Sequence, residues 1–174
     1  NKPKELIITG KYRDDFSYYA DIRFLPVERV IIDARQIDSH HITLHDFINC
    51  KELIITDNCT NVNILEHYGL SRIEHITIPY SIDSFEDKTV FLNKVNKITI
   101  KRKDKTCTIE LDDKYKNVNT TISAYNNGDS LTLNIYSDKN YIKYTFYYKD
   151  NELVYDKKLI RQEIELEEPQ EKFS

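Results

Sequence analysis

The densest group of side chains able to ligate a metal or move a proton is Asp38-Ser39-His40-His41-Ile42-Thr43-Leu44-His45-Asp46. In a helix, His41 and His45 would lie one turn apart on a single face, a spacing that zinc can use. A hydrolase of the His-Glu-x-x-His kind also needs Glu directly after the first His, and His41 is followed by Ile42. Two ligands do not complete a tetrahedral site, so surface or core histidines are the plainer reading beside metal binding and catalysis. Cys50, Cys59 and Cys107 include no Cys-x-x-Cys pair and cannot all pair within one chain, so reduced thiols are expected. Glycine occurs only as Gly10, Gly69 and Gly128, which leaves no phosphate-cradling loop, and no Gly-x-Ser-x-Gly nucleophile turn is present. The expectation is a chain that is not an enzyme and carries no cofactor.

Whatever these residues do, something must hold them in register, and the chain has a strong register of its own. Phe24-Val27-Val30-Ile32, Phe47-Cys50-Leu53-Ile55, Leu70-Ile73-Ile76-Ile78 and Leu92-Val95-Ile98-Ile100 share one spacing, and their starts differ by 23, 23 and 22 residues. Pro3-Leu6-Ile8 fits as a truncated copy one period earlier. The last two apolar positions of each unit lie two apart and favour β-branched residues, which is the signature of a short strand. A hairpin meander repeats at roughly 8 to 12 residues, so strands this far apart are expected to stack in parallel and bury a core that no single unit could bury alone. The intervening segments, Asp15 to Ala20, Ile42 to Ile48, Val62 to Tyr68 and Phe85 to Leu92, carry apolar residues at helix-like or irregular spacing.

With Leu6 and Ile8 pointing inward, strand alternation turns Glu5, Ile7 and Thr9 outward. The same parity exposes Arg29, Ile31 and Asp33, then Glu52, Ile54 and Thr56, then His75, Thr77 and Pro79, then Lys97, Thr99 and Lys101. The central column Ile7, Ile31, Ile54, Thr77, Thr99 would be a narrow apolar stripe, rising about 4.8 Å per unit and flanked by mixed charge. Ile7, Arg29, Ile31, Glu52, Ile54, His75, Thr77, Lys97 and Thr99 are therefore the candidate partner-binding residues. The plainer reading is that Ile simply favours a parallel strand.

Leu70-Ser71-Arg72-Ile73-Glu74-His75-Ile76-Thr77-Ile78-Pro79, followed by Tyr80-Ser81-Ile82-Asp83-Ser84-Phe85, resembles the BspA-type leucine-rich repeat. The resemblance covers about residues 3 to 104 and is closest in this fourth unit. Pro follows the strand only at Pro79, and the position of an Asn ladder is met only by Asn58. It implies a leucine-rich-repeat solenoid of about five units and a role in adhesion or protein interaction. A parallel β-helix, with three strands per coil, is the rival architecture.

After about Lys103 the period stops. Thr106 to Leu111, Val118 to Tyr125, Ser130 to Tyr136, Tyr141 to Tyr148, Glu152 to Tyr155 and Leu159 to Leu166 read as successive antiparallel strands separated by Asp- and Asn-rich turns. Seven of the thirteen tyrosines fall within these strands: Tyr125, Tyr136, Tyr141, Tyr144, Tyr147, Tyr148 and Tyr155. Tyr on exposed strands suits carbohydrate as well as protein, and a Tyr-rich strand composition without a ligand is the plainer alternative.

The fold expected is α/β or mainly β, with a solenoid over residues 1–104, a β-rich cap over 105–167 and an acidic tail over 168–174. A net charge of −4 and a pI near 5.8 argue against nucleic acid, and the only run of three basic residues, Lys101-Arg102-Lys103, reads as an exposed turn. No apolar run approaches the length of a membrane span, so a soluble chain is expected. The chain lacks Met and opens inside a repeat, which points to Asn1 as a processing or expression boundary. The sequons Asn58-Cys59-Thr60 and Asn119-Thr120-Thr121 leave the compartment open between intracellular and cell surface. The function expected is a non-enzymatic module that binds a protein through the outward face of its parallel strands. The alternatives are a glycan-binding or adhesion domain using the Tyr-rich part, and a structural slice of a longer repeat protein.

Overall fold

The computed structural model describes residues 5–9, 27–33, 36–38, 50–64, 73–87, 95–111, 121–136 and 140–161. In chain order the strands are β1 (Glu5–Thr9), β2 (Arg29–Asp33), β3 (Gln36–Asp38), β4 (Glu52–Ile55), β5 (Asn61–Ile64), β6 (His75–Pro79), β7 (Ser84–Asp87), β8 (Lys97–Arg102), β9 (Lys105–Glu110), β10 (Thr121–Asn126), β11 (Leu131–Tyr136), β12 (Asn140–Lys149) and β13 (Glu152–Arg161). The protein is mainly β, and no helix occurs among the described residues.

Two mixed sheets are formed. The first runs β1-β2-β4-β6-β8-β9, parallel from β1 through β8 and antiparallel at β8–β9. Its register sets Leu6, Val30, Leu53, Ile76 and Ile98 side by side, and Ile7, Ile31, Ile54, Thr77 and Thr99 side by side. These are the columns expected from the spacing. One hydrogen-bond pair recurs at the three steps from β2 to β8: Glu28 O accepts from the amides of Lys51 and Glu52 at 2.8 and 3.1 Å, Lys51 O from Glu74 and His75 at 2.8 and 3.1 Å, and Glu74 O from Asn96 and Lys97 at 2.9 and 3.1 Å.

The second sheet runs β13-β12-β11-β10-β7-β5-β3, with β3, β5 and β7 parallel and the remaining pairs antiparallel. Here the structure corrects the expectation for the intervening segments. Val62 and Phe85 do not begin helical or irregular stretches; they are the buried centres of β5 and β7. Units two to four thus hold two strands each, one per sheet. Asp15 to Ala20 and Ile42 to Ile48 lie outside the described residues. In the C-terminal part, Glu152 to Tyr155 and the start of the segment from Leu159 are one strand, β13, paired with β12 along its whole length. The Asp150-Asn151 turn between them has φ of 52° and 64°, the left-handed pair of a two-residue hairpin turn, which Asn and Asp tolerate better than most residues. Residues 162–174 lie outside the described residues.

Buried side chains from both sheets form a single cluster. Val30, Ile32, Leu53, Ile55, Ile76, Ile78, Ile98 and Ile100 come from the first sheet, and Val62, Phe85, Leu131, Leu133, Ile135, Tyr144 and Phe146 from the second. Val27, Cys50, Ile73 and Val95, the apolar positions three residues ahead of each strand pair, close the edge of this core. The thiol of Cys50 donates to Glu52 O at 3.0 Å, and burial pushes its pKa up to about 11. Cys59 behaves alike, with burial again raising it to about 11. These are core thiols, protonated at neutral pH.

Candidate interaction face

The outward face of the first sheet gathers all nine predicted residues, because parallel strands in register turn alternate residues to the same side. Exposure falls along the central column. Ile7 on the edge strand is 53% exposed, Ile31 and Ile54 are half-buried, and Thr77 and Thr99 are each only 8% exposed. The expectation that Thr77, Pro79 and Thr99 are exposed is therefore corrected: all three are buried. Short threonine side chains sit below the level of their longer neighbours, and antiparallel β9 lays Thr108 beside Thr99. The apolar stripe thus has its free surface at Ile7, Ile31 and Ile54.

Beside the stripe runs a polar chain that crosses all six strands. The Arg29 guanidinium reaches Glu52 Oε1 at 2.9 Å and Glu5 Oε2 at 3.3 Å. Hydrogen bonds to Glu52, and then to Glu5, hold the Arg29 pKa above its ordinary value. Glu52 Oε2 lies 3.5 Å from His75 Nδ1. His75 Nε2 lies 2.8 Å from Thr99 Oγ1, which is 2.8 Å from Thr108 Oγ1. A shallow cavity of about 420 Å³ opens where the first strands begin, lined by Glu5, Glu28, Arg29, Lys51 and Glu52. Exposed ion pairs add little stability. Their effect here is to fix a pattern of charge next to an apolar ridge, with Lys97 exposed at the far end of the same row.

A second polar row follows the strands. Asp33 Oδ1 accepts from Thr56 Oγ1 at 2.7 Å and from Asn58 Nδ2 at 2.7 Å. These two bonds, Thr56 first, hold the Asp33 carboxyl below the usual carboxylate range. Asn58, noted in the sequence for its ladder position, therefore does tie one unit to the previous one, through a carboxylate. At the next corner Ser84 Oγ donates to Asn61 Oδ1 at 2.7 Å.

Glu5, Glu28, Lys51 and Thr108 belong to the face but were not among the predicted residues. Glu5 stood in the outward row and could have been taken from it, and Glu28 and Lys51 immediately precede their strands. Thr108 lies past the end of the repeat, and only the hairpin from β8 to β9 brings it in. His40, His41 and His45 lie outside the described residues, and no group of three His, Cys, Asp or Glu side chains able to hold a metal occurs among the described ones.

The tyrosines divide between core and surface. Tyr144 is buried, stacked on Phe146 at 6.3 Å and tilted against Tyr155 at 5.5 Å. Tyr136 and Tyr141 form a cross-strand pair at 5.0 Å, Tyr147 OH donates to Asp156 at 3.2 Å, and Tyr125 stands 40% exposed. Compared with protein-family models, with curated proteins and with solved structures, the chain matches none of them, so its function is argued from the arrangement of its own residues.

Proposed function

We propose that this chain is a non-enzymatic protein-interaction module, a short leucine-rich-repeat-like solenoid closed by its antiparallel strands. On this reading it binds a protein partner through the outward face of the parallel strands. The observation that carries the reading is the half-exposed ridge Ile7-Ile31-Ile54 lying against the fixed charges of Glu5, Arg29 and Glu52 and the imidazole of His75. An apolar centre bordered by oriented charge is the composition of a docking surface: the ridge supplies affinity and the charges supply register and selectivity. The solenoid is supported by parallel pairing in the first sheet at offsets of 22 to 24 residues and by the hydrogen-bond pair that recurs at the three steps from β2 to β8. The resemblance of the fourth unit to BspA-type repeats supports an adhesion or interaction role.

The test is affinity capture with the wild type beside Ile31→Asp/Ile54→Asp, with circular dichroism as the control for folding. The reading expects partners retained by the wild type and lost by the folded double variant. Equal retention by both proteins overturns it.

A further inference from the structure

The basic run Lys101-Arg102-Lys103 is not absorbed by the face just described. Strand β8 ends at Arg102, Lys103 stands in the turn, and β9 opens on Lys105. The fold then brings a second hairpin tip, Tyr148 to Asn151, from more than forty positions further along the chain to the same place. Between the tips lies an open cavity of about 670 Å³ lined by Arg102, Lys103, Asp104, Lys105, Tyr148 and Asn151. Lys105 is tied to Glu152 at 3.6 Å. Arg102 has no ion pair among the described residues; its guanidinium lies 5.4 Å from the Tyr148 ring centroid and 5.9 Å from that of Tyr80. The two rings meet edge to face at 5.3 Å, and Tyr80 OH is itself anchored by donating to Asp129 O at 3.1 Å.

We propose that this corner binds a doubly charged oxyanion, the phosphate monoester of a ligand. Two aromatic rings in contact with each other lie beside the guanidinium, and with no carboxylate paired to it among the described residues its N–H fork can grip two oxygens of an anion at once. Lys103 adds a second cation that no carboxylate neutralises among the described residues. Its backbone φ of 55° places it in the left-handed region at the turn. A tetrahedral dianion matches two cations that have no carboxylate partner among the described residues better than a lone carboxylate does. The one lining carboxylate, Asp104, opposes binding, and that gives the proposal an unusual signature: removing a surface charge should strengthen it.

The experiment is a titration of the ¹⁵N-labelled full chain with phenyl phosphate and, separately, phenyl sulfate at fixed ionic strength, read from backbone amide shifts with chloride as reference. Saturable shifts confined to 102–105 and 148–151 are expected with phenyl phosphate, and phenyl sulfate, of similar shape but a single charge, should bind more weakly; equal or tighter binding of the sulfate overturns the dianion. Arg102→Gln should weaken binding roughly tenfold. Lys103→Gly, which suits the left-handed turn and so spares the fold, should weaken it about threefold. Asp104→Asn should tighten it about twofold. Shifts that fail to saturate, shifts spread equally over Lys51 and Lys97, or unchanged affinity in Arg102→Gln and Lys103→Gly overturn the proposal.

Discussion

The parallel strands β1 to β8 and the antiparallel strands β9 to β13 solve the same packing problem with different neighbours. In the parallel part each strand is paired with residues 22 to 25 positions away. Residues far apart in sequence are thereby collected into one row, as Glu5, Arg29, Glu52 and His75 are. In the antiparallel part the neighbours come from the adjoining hairpin, and β12 and β13 pair over ten residues each around a two-residue turn. Rows there are built from local alternation, and Tyr144 and Phe146 spend it on the core. The difference teaches where a surface can be assembled: stacked copies give a column in which each unit contributes one residue, whereas hairpins mainly extend and close the sheet.

The two parts meet at β7, which is parallel to β5 on one side and antiparallel to β10 on the other. Phe85, fully buried in β7, is the place to break the comparison. Phe85→Ala should cost about 3–5 kcal/mol, and urea unfolding should remain a single transition, because one core serves both regions. Two separated transitions would show that the regions are independent. A smaller effect is expected at the other junction, where Thr99 of the parallel row meets Thr108 of antiparallel β9. Thr99→Val keeps the shape, removes the bridging hydroxyl between His75 and Thr108, and should cost about 1 kcal/mol by the same assay.

The smallest effect concerns acid. Asp33 is held below its ordinary value of 3.8 by Thr56 and Asn58 of the next unit. A depressed folded-state value means that this carboxylate stabilises the fold above its unfolded value, and that the contribution is lost as pH falls through the folded value. The urea midpoints of wild type and Asp33→Asn should therefore differ most near neutrality and converge below about pH 4. A gap that widens on acidification would contradict this linkage.

Much of the first sheet was legible because its inward residues are Leu, Ile and Val two apart at a fixed interval. The register of the outward columns followed from the same count. Strands β3, β5 and β7 were missed for a physical reason. Gln36-Ile37-Asp38, Asn61-Val62-Asn63 and Ser84-Phe85-Glu86 each bring a single apolar residue between polar ones, too short a pattern to distinguish from a loop. The available signal was that Val62 and Phe85 stand at the same position of successive units; Ile37 stands two positions earlier in its own. The burial of Thr77 and Thr99 was not legible, since parity gives direction and not depth; depth came from the size of neighbouring side chains and from β9. The corner around Arg102 was visible only as a basic run, because Tyr80 and Tyr148 reach it through the tertiary fold.

The most direct test of the central claim compares the two sheets' outward faces in one protein. A photo-crosslinking phenylalanine analogue is placed at Ile31 or Ile54 on the parallel face, or at Tyr125 on the antiparallel sheet, and adducts formed in a lysate of the source cells are identified. The account predicts a shared protein adduct from Ile31 and Ile54 and none from Tyr125. An adduct from Tyr125 alone, or none from any position, would contradict it.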